Sequence, residues 1–320
     1  MTVATNPAPR LASQLVNGIL AVKPLANLAK HQARSMMIKR AESIGVYWRQ
    51  EVQALRSRQS EQALDPAWET ELAQLQQADL TYPRYYVTSF HAYEQGNLSW
   101  EAAMEVEVAA HAVHARIWPD GGAQGDAMLR QSFHTALQQE IATLPQDILD
   151  LGCSVGMSTF ALQAAFPQAQ LTGVDLSPYF LTVAQYRDRQ RQAQSAIQPA
   201  IKWLHAAAES TGLPDQSFDL VSAHLLFHEL PQFAAQSILQ EARRLLRPGG
   251  HLAIMDMNPG SEIYAKMPPY ILTLLKSTEP YLDQYFRLDL EQAIYAAGFA
   301  QPTVICNSPR HRTVIAQTRE

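Results

Sequence analysis

The sequence predicts an α/β fold, with a mainly parallel β-sheet preceded by a helical region. Behind Gly125, short apolar runs at 148–151, 171–174, 201–204, 218–223 and 252–257 alternate with helical stretches such as 157–166, 178–194 and 233–246. Strands separated by helices of that length need right-handed crossovers, which build a parallel sheet. At the end of the chain, runs at 303–306 and 313–316 flank a short Ser308-Pro309-Arg310-His311 connection. No parallel crossover fits in so few residues, so this last pair is antiparallel.

The front of the chain reads as helical. Trp48, Val52 and Leu55, then Trp68, Leu72 and Leu75, recur at helical spacing, and Asp65-Pro66 and Tyr82-Pro83 interrupt the pattern. An alanine-rich periodic stretch at 101–118 ends at Pro119-Asp120-Gly121-Gly122. The expected division is a helical extension over 1–120, acting as lid or as membrane or partner contact, and a sheet domain over 121–320. The first ten residues, with Pro7 and Pro9, read as a disordered tail.

Charge separates the same regions. No acidic residue precedes Glu42, so the first 41 residues carry +6, whereas the remainder carries −11. Within that start, Leu25, Leu28, Ala29, Ala33, Met36 and Met37 share one helical stripe, and Lys23, Asn27, Lys30 and Arg34 another. Such a basic amphipathic helix suits anionic lipid, at roughly 1 kcal/mol per basic side chain. It equally suits packing on the main domain, and an acid-poor start also resembles a targeting presequence.

Composition narrows the class. With 47% hydrophobic and 17% charged residues the chain can bury a core, and a net charge of −5 gives no nucleic-acid footprint. Two distant cysteines, Cys153 and Cys306, exclude a disulfide-dense scaffold and a cysteine-rich zinc site. No apolar run reaches the roughly 18–20 residues that span a bilayer. The expectation is a cytoplasmic protein, with peripheral membrane contact through the basic helix as an option.

The first strand runs into Asp150-Leu151-Gly152-Cys153-Ser154-Val155-Gly156 and then directly into a helix. In an open parallel sheet, ligands bind beyond the carboxyl ends of the strands. Glycine there allows a tight turn and close backbone approach. The second strand ends in Asp175, 19 residues beyond Gly156, where a carboxylate accepts from a ribose diol. A dinucleotide fingerprint needs glycine at the third and sixth positions, but Ser154 and Met157 stand there. No Lys-Ser/Thr pair follows the glycines, which excludes a P-loop.

These residues, with Val174-Asp175-Leu176-Ser177, Ala208-Glu209, Ser217-Phe218-Asp219-Leu220-Val221 and Leu245-Leu246-Arg247-Pro248-Gly249-Gly250, resemble a class I S-adenosylmethionine-dependent methyltransferase. The resemblance covers roughly 144–320 and is similar to the ubiquinone/menaquinone-type and small-molecule subgroup. The front half has a texture similar to cyanobacterial and plastid members. It implies a Rossmann-like seven-stranded sheet, mostly parallel, with a C-terminal antiparallel strand. It also implies S-adenosyl-L-methionine as cofactor. Asp150, Gly152, Cys153, Ser154 and Gly156 would cradle the methionine part. Asp175 would take the ribose, Leu176 the adenine face, and Ala208 the adenine edge. Ala207 stands where an adenine-contacting acid is frequent, so Glu209 or a backbone group must serve. Cys153 is expected as a small neutral side chain, not a nucleophile.

Methyl transfer needs alignment and, for a hydroxyl acceptor, proton removal. His224, at the carboxyl edge of the fourth strand, is the candidate base and also a cofactor contact. His228 follows one turn later, beside Glu229, and is the second catalytic candidate. The two histidines suit a metal on one helical face, but no third ligand is evident, so no metal is expected. The segment at about 258–288 is long enough for an acceptor lid, with Asn258, Met267, Tyr270 and Tyr281 as pocket candidates. Tyr93 and His91 are candidates for the opposite wall. The leading reading is O- or C-methylation of a small hydrophobic acceptor, with no nucleic-acid partner. The alternatives are a membrane-associated or regulatory cofactor-binding protein without catalysis and, third, a nicotinamide-dependent oxidoreductase.

Overall fold

A computed structural model describes residues 16–18, 20–58, 60–91, 93–194 and 199–319. The expected N-terminal tail lies outside them. Seven strands form one sheet: β1 (Asp147–Leu151), β2 (Gln170–Asp175), β3 (Lys202–His205), β4 (Phe218–His224), β5 (Leu246–Met257), β6 (Thr303–Ile305) and β7 (His311–Gln317). Their order is β3-β2-β1-β4-β5-β7-β6. β1 to β5 are parallel, whereas β7 is antiparallel to both β5 and β6. The order reverses between β1 and β4, which opens a crevice at their carboxyl ends.

The two-residue period of the strands sorts their side chains onto two cores. Ile148, Leu220, Met255 and Ile315 face one side, where they meet Leu129, Phe133 and Leu162. Leu149, Val221, Ile254 and Val314 face the other, against Ile238, Leu239 and Leu245. β5 begins six residues earlier than its apolar run, because Arg247-Pro248-Gly249-Gly250, expected to end the preceding helix, continues as strand. A shift in β4–β5 register between Phe218 and Leu220 absorbs the proline and glycines.

Before the sheet stand α1 (Lys23–Ser43), α2 (Trp48–Ser57), α3 (Ala67–Leu75), α4 (Trp100–His114) and α5 (Gly125–Glu140). Pro24 opens α1 in its first turn, where a missing N–H costs nothing. The Ser99 hydroxyl caps α4 by accepting from Ala102 N–H at 3.2 Å. Buried Trp48, Ala41, Val108 and Ala112 knit α1, α2 and α4 together. Leu55, Trp68 and Met104 pack with Val155, Phe180 and Val183 of the sheet domain. The helical cover therefore sits on the glycine loop. After β5, residues Glu262–Ala265, Pro269–Thr278 and Leu282–Arg287 form short helices, and Pro269–Thr278 packs on α1.

Candidate functional site

A cavity of about 440 Å³ lies over the carboxyl ends of the strands, beneath α1, α4 and the helix Pro269–Thr278. Its floor is the loop after β1. Gly152 and Gly156 take positive φ, +67° and +87°, and Ser154 does so as well at +51°. A Cβ on Gly152 would stand 2.7 Å from Leu226 Cδ1 and push that side chain aside, and the positive φ strains any other residue there. Ser154 adopts what a glycine would take freely. Its N–H donates to Asp175 Oδ2 at 2.8 Å, which offsets part of the strain.

Asp175 is thereby locked in place, since Ser177 N–H donates to its other oxygen at 2.8 Å. Burial disfavours its charge and, despite these two donors, lifts its pKa to about 7, with Glu229 and Asp150 adding repulsion. Leu176, Ala208 and Glu209 continue this wall, and Tyr85 donates its hydroxyl to Glu209. Gly152, Cys153 and Ser154 also line the cavity, whereas Asp150 and Gly156 stand behind it. Asp150 Oδ2 accepts from Ser158 and Thr159 hydroxyls at 2.6 and 2.7 Å. Its Oδ1, the Ser154 hydroxyl and His224 Nε2 are buried without a hydrogen-bond partner among the described residues. Orphaned polar atoms of this kind call for ligand groups, because each costs about 1–3 kcal/mol unpaired. Burial raises the Cys153 thiol well above its usual range, consistent with a neutral side chain.

The two histidines divide in a way that corrects one expectation. His224 Nδ1 faces the Arg130 guanidinium at 3.4 Å. Guanidinium only donates, so Nδ1 accepts and the proton sits on Nε2. Burial, and then the charge of Arg130, hold the ring's pKa well below the usual value. His224 is therefore a neutral donor into the cavity and is not arranged to take a proton. His228 is the opposite case. Its Nδ1 lies 2.8 Å from Asp256 Oδ1, and its backbone N–H donates to Asp256 Oδ2 at 3.1 Å. Burial opposes the cation, but Asp256, helped by Glu279 and Glu229, outweighs it and raises the pKa to about 9. Nε2 of His228 has no partner among the described residues, and the side chain lines the cavity.

Of the pocket candidates, Tyr93 and Met267 line the cavity. Tyr93 donates its hydroxyl to Glu105 at 2.9 Å, and Glu105 pairs with Arg34. Three candidates fail. Tyr270 is 65% exposed, on the outer face of its helix. Asn258 instead accepts from Gly260 N–H at 3.1 Å and approaches Cys306 sulfur at 3.5 Å. Tyr281 packs behind the wall, edge-on to Tyr85, with its hydroxyl 3.3 Å from Tyr85 O. The basic stripe is partly consumed, since Lys30 reaches Ser89 Oγ at 2.6 Å and Arg34 pairs with Glu101 and Glu105.

Sequence reasoning missed Asp256, Glu279 and Arg130. His91 Nε2 bridges Glu229 at 3.2 Å and Glu279 at 3.3 Å, tying the front segment to both the β4 turn and the lid. Arg130 pairs with Asp126 at 2.8 Å, and Asp126 also holds His114 at 2.7 Å. The signal for α5 was present, since Leu129, Phe133 and Leu137 recur every fourth residue. Among the described residues no group of three or more His, Cys, Asp or Glu is arranged to hold a metal, and no helix is long and apolar enough to cross a membrane.

A family model described as a methyltransferase domain matches residues 149–254. An uncharacterized methyltransferase of Synechocystis sp. is 30% identical over 170 residues, covering 53% of this chain and 74% of that protein. Trans-aconitate 2-methyltransferase of Azoarcus sp. is 36% identical over 37% of this chain and 44% of its own length. A 2-phytyl-1,4-naphtoquinone methyltransferase of Synechococcus elongatus is 32% identical over 45% of this chain and 56% of its own. These last two are thus spanned over about half their length. Phosphoethanolamine N-methyltransferase 2 of Haemonchus contortus, solved with S-adenosyl-L-methionine, superposes with a TM-score of 0.49 at 14% identity, over 71% of this chain and 62% of that one. The chain belongs to the class I S-adenosylmethionine-dependent methyltransferases. Its cofactor is S-adenosyl-L-methionine.

Proposed function

We propose that this chain catalyses methyl transfer to a small, largely apolar acceptor, at oxygen or carbon. The observation that carries the reading is His228, backed by Asp256 and turned into a cavity whose floor is the glycine loop. Names of relatives, from a phytyl-naphthoquinone to trans-aconitate methyltransferase, support a small organic acceptor.

S-adenosyl-L-methionine supplies an electrophilic methyl group on a sulfonium. In this reading Asp175 accepts from the ribose hydroxyls, and Leu176 and Ala208 pack against the adenine. Ser154 holds the methionine ammonium, with Asp150 behind it adding negative charge, and Arg130 with His224 holds its carboxylate. These assignments give partners to the Ser154 hydroxyl and to His224 Nε2. His228 in its free-base form, oriented through Nδ1 by Asp256, removes the acceptor's proton at Nε2. The cover excludes water by closing α1 and α4 over the loop. Incubation with methyl-labelled cofactor and a panel of quinols, phenols and carboxylic acids tests the proposal. Label should enter at least one acceptor class and be lost in His228→Gln; no transfer by a chain that binds cofactor would overturn it.

A peripheral membrane contact is a second reading. Val22, Leu25 and Leu28 are exposed at 48%, 44% and 62% at the start of α1, beside Lys23. The same stripe turns inward further on, where Ala33, Met36 and Met37 line the cavity. Anionic liposomes should pellet the full chain, and Leu25→Glu with Leu28→Glu should release it; equal pelleting would remove the lipid contact.

A further inference from the structure

Two arginines in the cavity wall have no counter-ion among the described residues. Arg40 of α1 and Arg310, in the turn between β6 and β7, both line it. Among the described residues the Arg40 side chain donates to Ala112 O at 3.4 Å and the Arg310 side chain to Val113 O at 2.8 Å. Neither has a carboxylate within ion-pair distance among the described residues, and Arg310 Nε is buried unpartnered. The acid of this corner, Asp126, is already shared by Arg130 and His114. Burial, reinforced for Arg40 by Arg116 and Arg310, pushes both guanidiniums below their ordinary pKa. The acids that line the cavity are held otherwise, Glu229 and Glu279 by His91, Glu209 by the Tyr85 hydroxyl and Asp175 by two backbone N–H groups. Both arginine side chains are half-buried, and a partly desolvated cation without a partner is costly unless a ligand brings the anion.

The sheet order places Arg310 at the end of the cavity away from Asp175. The carboxyl end of β2, with Asp175, and the start of β7, with His311, are four strand intervals apart in the order of the sheet. At the usual strand spacing that is about 19 Å. Between them the wall is apolar, formed by Met36, Met37, Ile271 and Leu274.

We propose that the acceptor carries an anionic head, carboxylate or phosphate, bound by Arg310 and Arg40, with its apolar body along Met36, Met37, Ile271 and Leu274. This rests on the methyl-transfer reading and names its substrate class. Calorimetric titration of the full chain, saturated with S-adenosylhomocysteine, against dodecanoate, dodecyl phosphate and dodecanol tests it. At least one anion should bind about tenfold tighter than the alcohol, as charge-assisted hydrogen bonds require. The tighter of the two anions identifies the head group. Arg310→Gln and Arg40→Gln should each erase most of that preference, while affinity for S-adenosylhomocysteine stays within about twofold. Arg310→Lys, which keeps the charge, should retain part of it and serves if the glutamine variant does not fold. Equal binding of the three probes, no binding by either anion, or a preference that survives both glutamine changes would overturn the proposal. So would a variant that weakens S-adenosylhomocysteine and leaves the preference intact. Failure of the wild-type chain to bind S-adenosylhomocysteine strikes the cofactor assignment instead, and dodecanoate titrated without it still reads the arginines.

Discussion

The two ends of the cavity are built by different means. At the β1–β2 end, consecutive residues and backbone geometry do the work. Gly152 and Ser154 set the turn, and two backbone N–H groups fix Asp175. At the β5–β7 end, side chains from distant segments converge, with His91, His228, Asp256 and Glu279 in one group and Arg40 and Arg310 in another. A site made by backbone tolerates few substitutions and leaves a contiguous motif. A site made by converging side chains leaves none, and its chemistry is set by which charges find partners.

Changes at the two ends should therefore separate catalysis from cofactor binding. His228→Gln should lower turnover by about 10²–10⁴, the usual contribution of a general base, with cofactor affinity unchanged; a calorimetric titration beside a rate assay reads both. Loss of affinity without loss of turnover would break the contrast. At the other end, Asp175→Ala should weaken cofactor binding by roughly 10–100-fold, given about 1.5–3 kcal/mol for hydrogen bonds to a charged group. With its pKa near 7, Asp175 is protonated on the acid side, so affinity should fall below pH 7 and level off above it.

The pH profile sharpens the comparison further. His228 is cationic until pH approaches about 9, so the free-base form and the rate should rise through that value. Asp256→Asn should move the inflection down toward the ordinary histidine range. The stability that the His228–Asp256 pair contributes runs the other way. It is complete below about pH 6.5, the unfolded histidine value, and is lost as pH rises through about 9. Thermal unfolding across that window should show the loss in wild type and not in Asp256→Asn. An inflection that stays near 9 in Asp256→Asn would remove Asp256 as the positioning group.

Smaller effects test the cover. Glu105→Gln leaves Arg34 without its buried partner and weakens the hydrogen bond from Tyr93, and should cost about 1–3 kcal/mol in denaturant unfolding. Tyr270→Ala and Asn258→Ala should change acceptor KM hardly at all and stability by less than about 0.5 kcal/mol, because neither reaches the cavity. A large KM change at Tyr270 would mean that its outer face meets the acceptor after all.

The legible parts of the site follow the same division. The turn at 152–156 and Asp175 were readable because a tight turn after a strand needs glycine-like backbone, and a strand end has a known direction. The lid was readable as a segment but not residue by residue. Met267, in the link before the helix Pro269–Thr278, lines the cavity, whereas Tyr270 in its first turn faces out, since the seating of that short helix depends on what α1 presents to it. The basic stripe of α1 was legible as well, but not its use. Arg34 meets Glu105, some 71 residues away, and Lys30 meets Ser89.

By itself the sequence determined the strand–helix alternation, the antiparallel finish and the cofactor loop. Each depends on local periodicity or on backbone freedom within a few residues. Only the tertiary structure decided that the pKa of His228 is raised and that of His224 lowered, and that Arg40 and Arg310 meet no carboxylate among the described residues. Protonation and pairing depend on burial and on charges brought from elsewhere in the chain, and no local pattern carries those distances.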